Sequence, residues 1–191
     1  MPRKGFTSSP LGTVVVLVVT TAVILGGLWF VKGGGSDDGV TQVTLTGDVA
    51  AAPPKVGETA ADFAAVDIID TPVSLADLRG QPVWLVFGAT WCADCRSEAA
   101  DIEAVQQALG DQAAIVGIYI EEDQATVQDY AQRLGLTYTQ VPDPATTLGS
   151  AYRVMGIPTH YFIAADGTIA KIRVGALSTS TAKAALSELI E

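Results

Sequence analysis

The stretch "FGATWCADCRSE", Phe87 to Glu98, holds both cysteines of the chain, Cys92 and Cys95, two residues apart and directly behind an apolar run. A pair at this spacing serves as a redox couple, as half of a metal site, or as a small structural loop. The surrounding residues decide among these.

The run "PVWLVFG" (Pro82 to Gly88) leads into the pair, and "AAIVGIYI" (Ala113 to Ile120) follows it. Both are too apolar for a strand with one solvated face, so they predict central strands of a sheet covered on two sides. Apolar spacing predicts helices over about 93–109, 124–134 and 179–190, with Ala99, Ile102, Val105 and Leu109 on one face of the first. "THYFIAADGTIAKIRVG", Thr159 to Gly175, places Asp166-Gly167 between two β-rich runs and predicts a hairpin. Strands alternating with helices give an α/β domain in which helices surround a central sheet.

The cysteines then fall where a strand turns into the helix starting near Ala93. Unpaired N–H groups and the helix dipole concentrate positive potential there, which stabilises a thiolate at the first cysteine. Cys92 is the expected nucleophile. Cys95, one helical turn on, is placed to attack a mixed disulfide formed on Cys92 and release the product. Structural zinc needs four ligands, and two Cys with one His do not supply them. Covalent haem attachment needs His after the second cysteine, where Arg96 stands. A static disulfide stays open, although a loop of two residues adds little chain-entropy stabilisation.

Ahead of this domain, Leu11 to Val31 reads "LGTVVVLVVTTAVILGGLWFV", 21 residues without a charge. As a helix it would reach about 30 Å, the thickness of a bilayer's hydrocarbon core. No small-residue cleavage pattern follows it and no cysteine lies near it, so the expectation is an uncleaved signal anchor. Arg3 and Lys4 precede the span and every acidic residue follows it, which predicts a cytoplasmic N-terminus and an extracytoplasmic domain. Three of the 11 basic residues (Arg3, Lys4, Lys32) flank the span, leaving 8 against 21 acidic residues, a net −13 that excludes nucleic-acid binding through bulk charge. Lys32 to Pro54 is rich in Gly, Ala, Asp and Pro, with only scattered Val and Leu, and reads as a flexible linker. The expected organisation is a cytoplasmic N-terminus at 1–10, a transmembrane anchor at 11–31, a linker at 32–54 and one domain at 55–191.

Three motifs in order resemble a known family. "VGETAADFAAVDIIDTPVSLADLRGQPVWLVFGATWCADCRSE" is similar to the N-terminal hairpin, first core strand and W-C-x-x-C-x-x-E motif of membrane-anchored thiol-disulfide oxidoreductases of the TlpA/ResA type, relatives of the redoxin and AhpC-TSA proteins. "GIPTHYFIAADGTI" resembles their G-x-P-T-x-F-I-x-x-x-G segment, and "IVGIYIEED" with "VQDYAQRLGLTY" their extra strand and helix. The resemblance implies a thioredoxin-like fold: a central mixed β-sheet flanked by helices, with an N-terminal β-hairpin and an inserted strand and helix, behind one transmembrane helix.

It also implies a cis Pro158 beside the Cys92–Cys95 redox disulfide, with Trp91, Ile157 and Thr159 on the substrate side. Trp91 is expected to pack beside the active-site turn. Glu98 corresponds to the family's glutamate after the second cysteine; it either exchanges protons with the pair or is simply an acid favourable in a first helical turn. The family's proline two residues further is Ala100 here, and Val86 stands where thioredoxin has a buried aspartate. Asp94, between the cysteines, disfavours a thiolate and points to a reductant. His160 reads as a strand side chain without a catalytic role. No flavin or nicotinamide motif is present, so no cofactor is expected and electrons would come from a transmembrane thiol donor. The expected partners are protein disulfides, including those of apocytochrome c during haem attachment, at the bacterial cell membrane. A disulfide-forming oxidase is the nearest alternative. A copper carrier using Cys92, Cys95 and His160 is the non-enzyme rival. Ala89 and Leu85 occupy the places of a peroxiredoxin's threonine and proline.

Overall fold

The computed structural model describes residues 18–23, 43–46 and 53–190. The chain divides into two compact units, Met1–Asp38 and Gly39–Glu191. In the first, 18–23 are helical and exposed; the rest of the expected span at 11–31, and the N-terminus at 1–10, lie outside the described residues. Among the described residues no helix is long and apolar enough to cross a membrane.

The second unit is built on a five-stranded sheet ordered β6-β5-β4-β7-β8. Its strands are β4 (Val83–Gly88), β5 (Ala114–Ile120), β6 (Thr139–Asp143), β7 (Thr159–Ile163) and β8 (Ile169–Val174). β4, β5 and β6 run parallel, whereas β7 and β8 pair antiparallel, so the sheet is mixed. β4 is central, and all six of its residues are buried. Trp84 and Val86 face a cluster with Ile102 and Val105 of α1 (Ala93–Leu109) and with Ala185 and Leu186 of α4 (Thr179–Ile190). Leu85 and Phe87 point the other way, onto Ile118, Val141, Leu148 and Tyr152. The alternation of β4 thus feeds two cores at once, which is why its sequence lacks a polar period.

The helix ends follow from local chemistry. Asp123 caps α2 (Gln124–Leu134) by accepting the Thr126 N–H at 2.8 Å, and Gly135 closes it in the left-handed conformation at φ +66°. α3 (Thr147–Ala151) is short, and buried Asp143 at the end of β6 accepts the N–H groups of Thr147 and Gly149.

A second sheet, β1 (Thr44–Leu45), β2 (Phe63–Val66) and β3 (Pro72–Ser74), is antiparallel throughout. Its β2–β3 pair matches the expected N-terminal hairpin. β1 lies inside the stretch read as a linker: Leu45 pairs with Phe63, and Val43 and Leu45 pack on the core. Val43 and Leu45 are what hold this short strand to the sheet and core. β6 is a further element absent from the sequence reading; it carries Pro142, which a sheet tolerates at an edge position such as this one.

The β7–β8 hairpin turns at Asp166-Gly167 as expected. Asp166 Oδ1 accepts the Thr168 N–H, and Gly167 has φ +89°. Arg79 lies across this turn, donating to the Asp166 carbonyl and to Asp62 Oδ1. A Cβ on Gly167 would come within 1.1 Å of Arg79 Nη1. Gly167→Ala therefore combines a strained φ with displacement of the guanidinium, and about 2 kcal/mol of stability should be lost in denaturant unfolding. The loss should be smaller in an Arg79→Ala background; an equal loss in both backgrounds would assign it to φ alone.

Candidate active site

β4 ends at Gly88, and α1 begins with Cys92 as its N-cap. Gly88 lets the helix start come close: a Cβ there would sit 3.3 Å from Cys95 Sγ, a tight contact. The loop between is tied from two directions. Glu122, buried just beyond β5, accepts the Thr90 N–H at 2.8 Å and the Thr90 hydroxyl as well. Arg96 Nη1 donates to the carbonyls of Thr90 and Trp91 at 3.2 and 2.7 Å. Neither residue was assigned a role from sequence. Glu122 was findable in principle, since the C-terminal ends of parallel strands gather functional groups and it follows β5 at that end.

Cys92 and Cys95 are joined as a disulfide with their Cα atoms 5.3 Å apart. Cys92 Sγ accepts the Cys95 N–H at 3.2 Å, so the sulfur itself fills the side-chain capping position of α1. A thiolate at this atom meets the free N–H groups of the first turn, the arrangement that lowers a cysteine's pKa. Asp94 stands exposed in the same turn and opposes that effect.

Cys95 faces inward. It lines a cavity of about 20 Å³ together with Glu98, Tyr119, Tyr130 and Tyr138, enough for one water molecule. Glu98 is 2% exposed. Its Oε2 accepts the Leu177 N–H at 3.0 Å, while Oε1 has no partner among the described residues. Burial raises the Glu98 carboxyl from an ordinary 4.5 to about 7; the Leu177 N–H opposes this, and the charges of Asp101 and Asp94 add to it.

His160 is the strand side chain expected from the sequence, and the structure supplies its partners. It is fully buried in β7, opposite Val86 of β4, and its Nε2 lies 3.6 Å from Glu98 Oε2. Burial holds its pKa down at about 4. Both ring nitrogens are engaged, Nδ1 by Trp84 Nε1 at 3.3 Å and Nε2 by the Gly175 carbonyl at 3.1 Å. A copper site on Cys92, Cys95 and His160 is therefore not assembled, and no cluster of three metal-ligating side chains occurs among the described residues.

The Ile157–Pro158 bond is cis. Ile157 packs on the cysteine pair, with its carbonyl oxygen 3.9 Å from Cys92 Sγ. Trp91, at the active-site turn, is 60% exposed, and Met155, two residues ahead of Ile157, is 95% exposed. Thr159 departs from its expected substrate side: it is 4% exposed, and its hydroxyl donates to the Gly156 carbonyl. Its side chain shapes the proline loop from within.

A sulfur pair at the start of one helix, with one member capped by that helix and the other backed by a buried carboxyl, is equipped to pass two electrons between dithiols. Fold and site together define a thioredoxin-type thiol-disulfide oxidoreductase, whose substrates are protein thiols and disulfides. Residues 56–172 match the AhpC/TSA family, and the chain belongs to it. It is 31% identical over 137 residues to the thiol-disulfide oxidoreductase ResA of Geobacillus thermodenitrificans, covering 70% of this chain and 78% of that one. The thioredoxin-like protein YneN of Bacillus subtilis is 32% identical over 125 residues, 64% of this chain and 73% of the relative. The crystal structure of a thiol:disulfide interchange protein of the thioredoxin family from Chlorobium tepidum TLS superposes with a TM-score of 0.64 at 28% identity, covering 74% of this chain and all of that one.

The buried carboxyl has a stability consequence. Because folding raises the Glu98 pKa, its contribution is neutral below pH about 4.5 and turns unfavourable as pH climbs to about 7. Glu98→Gln should remove that cost. Its gain over the parent, absent at pH 4, should grow to at most roughly 3 kcal/mol at pH 8 in denaturant titrations. A gain independent of pH would contradict the buried ionisation.

Proposed function

We propose that this protein is a membrane-anchored, extracytoplasmic reductant of protein disulfides, serving cytochrome c maturation or a related task of envelope redox homeostasis. The observation that carries the reading is the Cys92–Cys95 pair backed by a carboxyl poised near neutrality on the Cys95 side. In the reduced protein, the Cys92 thiolate attacks a substrate disulfide. One substrate sulfur bonds to Cys92 and the other leaves as a thiolate, which takes up a proton. Cys95 then gives its proton to Glu98, directly or through one water in the cavity they share, and attacks Cys92 Sγ. The substrate departs as a dithiol and the protein is left as the disulfide, two electrons poorer. A transmembrane dithiol donor restores it by the reverse exchange.

Direction follows from Asp94. A stabilised thiolate makes a disulfide oxidising, and a carboxylate in the first turn of α1 works against that stabilisation. The anchor rests on the uncharged run Leu11–Val31, and the outward orientation on Arg3 and Lys4 ahead of it. Apocytochrome c is the substrate that the resemblance to the TlpA/ResA type implies. Exposed Trp91, next to Cys92, and exposed Met155, two residues ahead of Ile157, offer apolar surface to an unfolded chain.

The test is the equilibrium reduction potential of the full-length protein, read by thiol trapping in buffers of graded glutathione or dithiothreitol poise. The expected value is at or below that of thioredoxin, about −270 mV, and Asp94→Pro should raise it. A value near about −120 mV would make the protein a disulfide donor instead.

A further inference from the structure

His160 is buried against Glu98, and the exchange of sulfurs described above makes no use of it. We propose that Trp84 locks His160 as the neutral, Nε2-protonated tautomer, and that His160 acts through Gly175 to position the Leu177 N–H that holds the Glu98 carboxylate. This deepens the reading of Glu98 as proton acceptor and rests on it.

The tautomer follows from the inventory of donors. An indole N–H only donates, so His160 Nδ1, 3.3 Å from Trp84 Nε1, must offer its lone pair. The ring proton is then on Nε2, which donates to the Gly175 carbonyl at 3.1 Å. Gly175 is held a second time, its own N–H donating to the Pro158 carbonyl at 2.8 Å. Two residues beyond Gly175, the Leu177 N–H makes the 3.0 Å bond to Glu98 Oε2. The cis-proline loop and β7 thus help fix the segment that supplies the donor of Glu98, and His160 is one of its attachment points. At 3.6 Å the His160 Nε2 is too far from Glu98 Oε2 for a direct hydrogen bond. It is near enough for charge to matter.

A second proton on His160 would set an Nδ1–H against the Trp84 N–H, two donors facing each other in the core. Burial opposes that charge as well. If the imidazolium nevertheless formed, its attraction would pull the Glu98 carboxyl down from neutrality. The lock prevents this. The other groups facing the carboxyl do not replace it: Asp94 and Asp101 of α1 are acidic and push the other way, and Cys95 shares the cavity. Tyr119 of β5, Tyr130 of α2 and Tyr138 ahead of β6 are phenols whose ionisation burial pushes upward. Arg173, the cross-strand neighbour of His160 on β8, is exposed.

The chain has a single histidine, so the full-length protein labelled with ¹⁵N-histidine gives one pair of ring nitrogens to read by NMR. The expected result is a neutral ring protonated at Nε2 from pH 8 down to 5.5, where a histidine of ordinary pKa, about 6.5, would be mostly cationic. A cationic ring at pH 5.5, or a proton on Nδ1, would overturn the lock whatever Glu98 does. The second readout is the Glu98-linked inflection in the pH profile of substrate-disulfide reduction. His160→Leu should move it up by about one pH unit, the size expected for a carboxylate losing one hydrogen bond. His160→Gln, whose amide nitrogen can reach the Gly175 carbonyl, should restore it. Trp84→Phe frees Nδ1 to take a proton and should move it down. Shifts of one sign in His160→Leu and Trp84→Phe, or none in either, would overturn the positioning role. If Glu98→Gln leaves the parent inflection in place, the proton-acceptor reading fails and the positioning role with it, while the NMR result on the lock stands separately.

Discussion

The hydrogen bond from the Cys95 N–H to Cys92 Sγ fixes where the central strand stops and the first helix starts. A helix begun by a sulfur places that sulfur among unpaired N–H groups and puts the second sulfur one turn inside. The rest of the site follows from this placement. Gly88 leaves room for Cys95, which lies close against it, and the three residues between Gly88 and Cys92 are tied down by groups from elsewhere. Glu122 and Arg96 do that, holding Thr90 and Trp91 from the β5 side and from within the helix.

The two cysteines consequently stand in different surroundings although only two residues separate them. Cys92 meets Ile157 of the cis-proline loop and follows the exposed Trp91. Cys95 faces a small cavity and a carboxyl that folding renders uncomfortable. A buried carboxyl with one orphaned oxygen costs stability, and proteins keep such groups where chemistry uses the strained protonation balance. Here that balance lies near neutrality, where a carboxylate can take a proton from a thiol and return it.

Much of the fold was legible because its signals are local. β4 and β5 announce themselves as runs with no polar period, α1, α2 and α4 by apolar spacing, and the β7–β8 hairpin by Asp166-Gly167. Thr44–Leu45 was not legible, since two apolar residues in a Gly- and Asp-rich stretch become a strand only when β2 is there to pair with. β6 was obscured by Pro142, tolerable because the strand is at a sheet edge, and α3 by its five-residue length. In the site, the spacing of Cys92, Cys95 and Glu98 on one helix could be read directly. The partners of His160 could not: Trp84 and Glu98 lie 76 and 62 positions away in the chain, brought to it by the register of β7 on β4 and by the packing of α1 on the sheet. Trp91 and Thr159 show the converse, a motif that names residues without fixing which of them faces solvent.

The central claim is the division of labour between the sulfurs, and the most direct measurement is covalent trapping. Full-length Cys95→Ser and Cys92→Ser variants, reduced and offered a protein disulfide substrate, are analysed by non-reducing gel and mass spectrometry for mixed disulfides. The account predicts a stable mixed disulfide through Cys92 in Cys95→Ser, because the attacking thiolate is intact and the resolving thiol is gone, and almost none in Cys92→Ser. Equal trapping through either cysteine, or trapping only through Cys95, would contradict it.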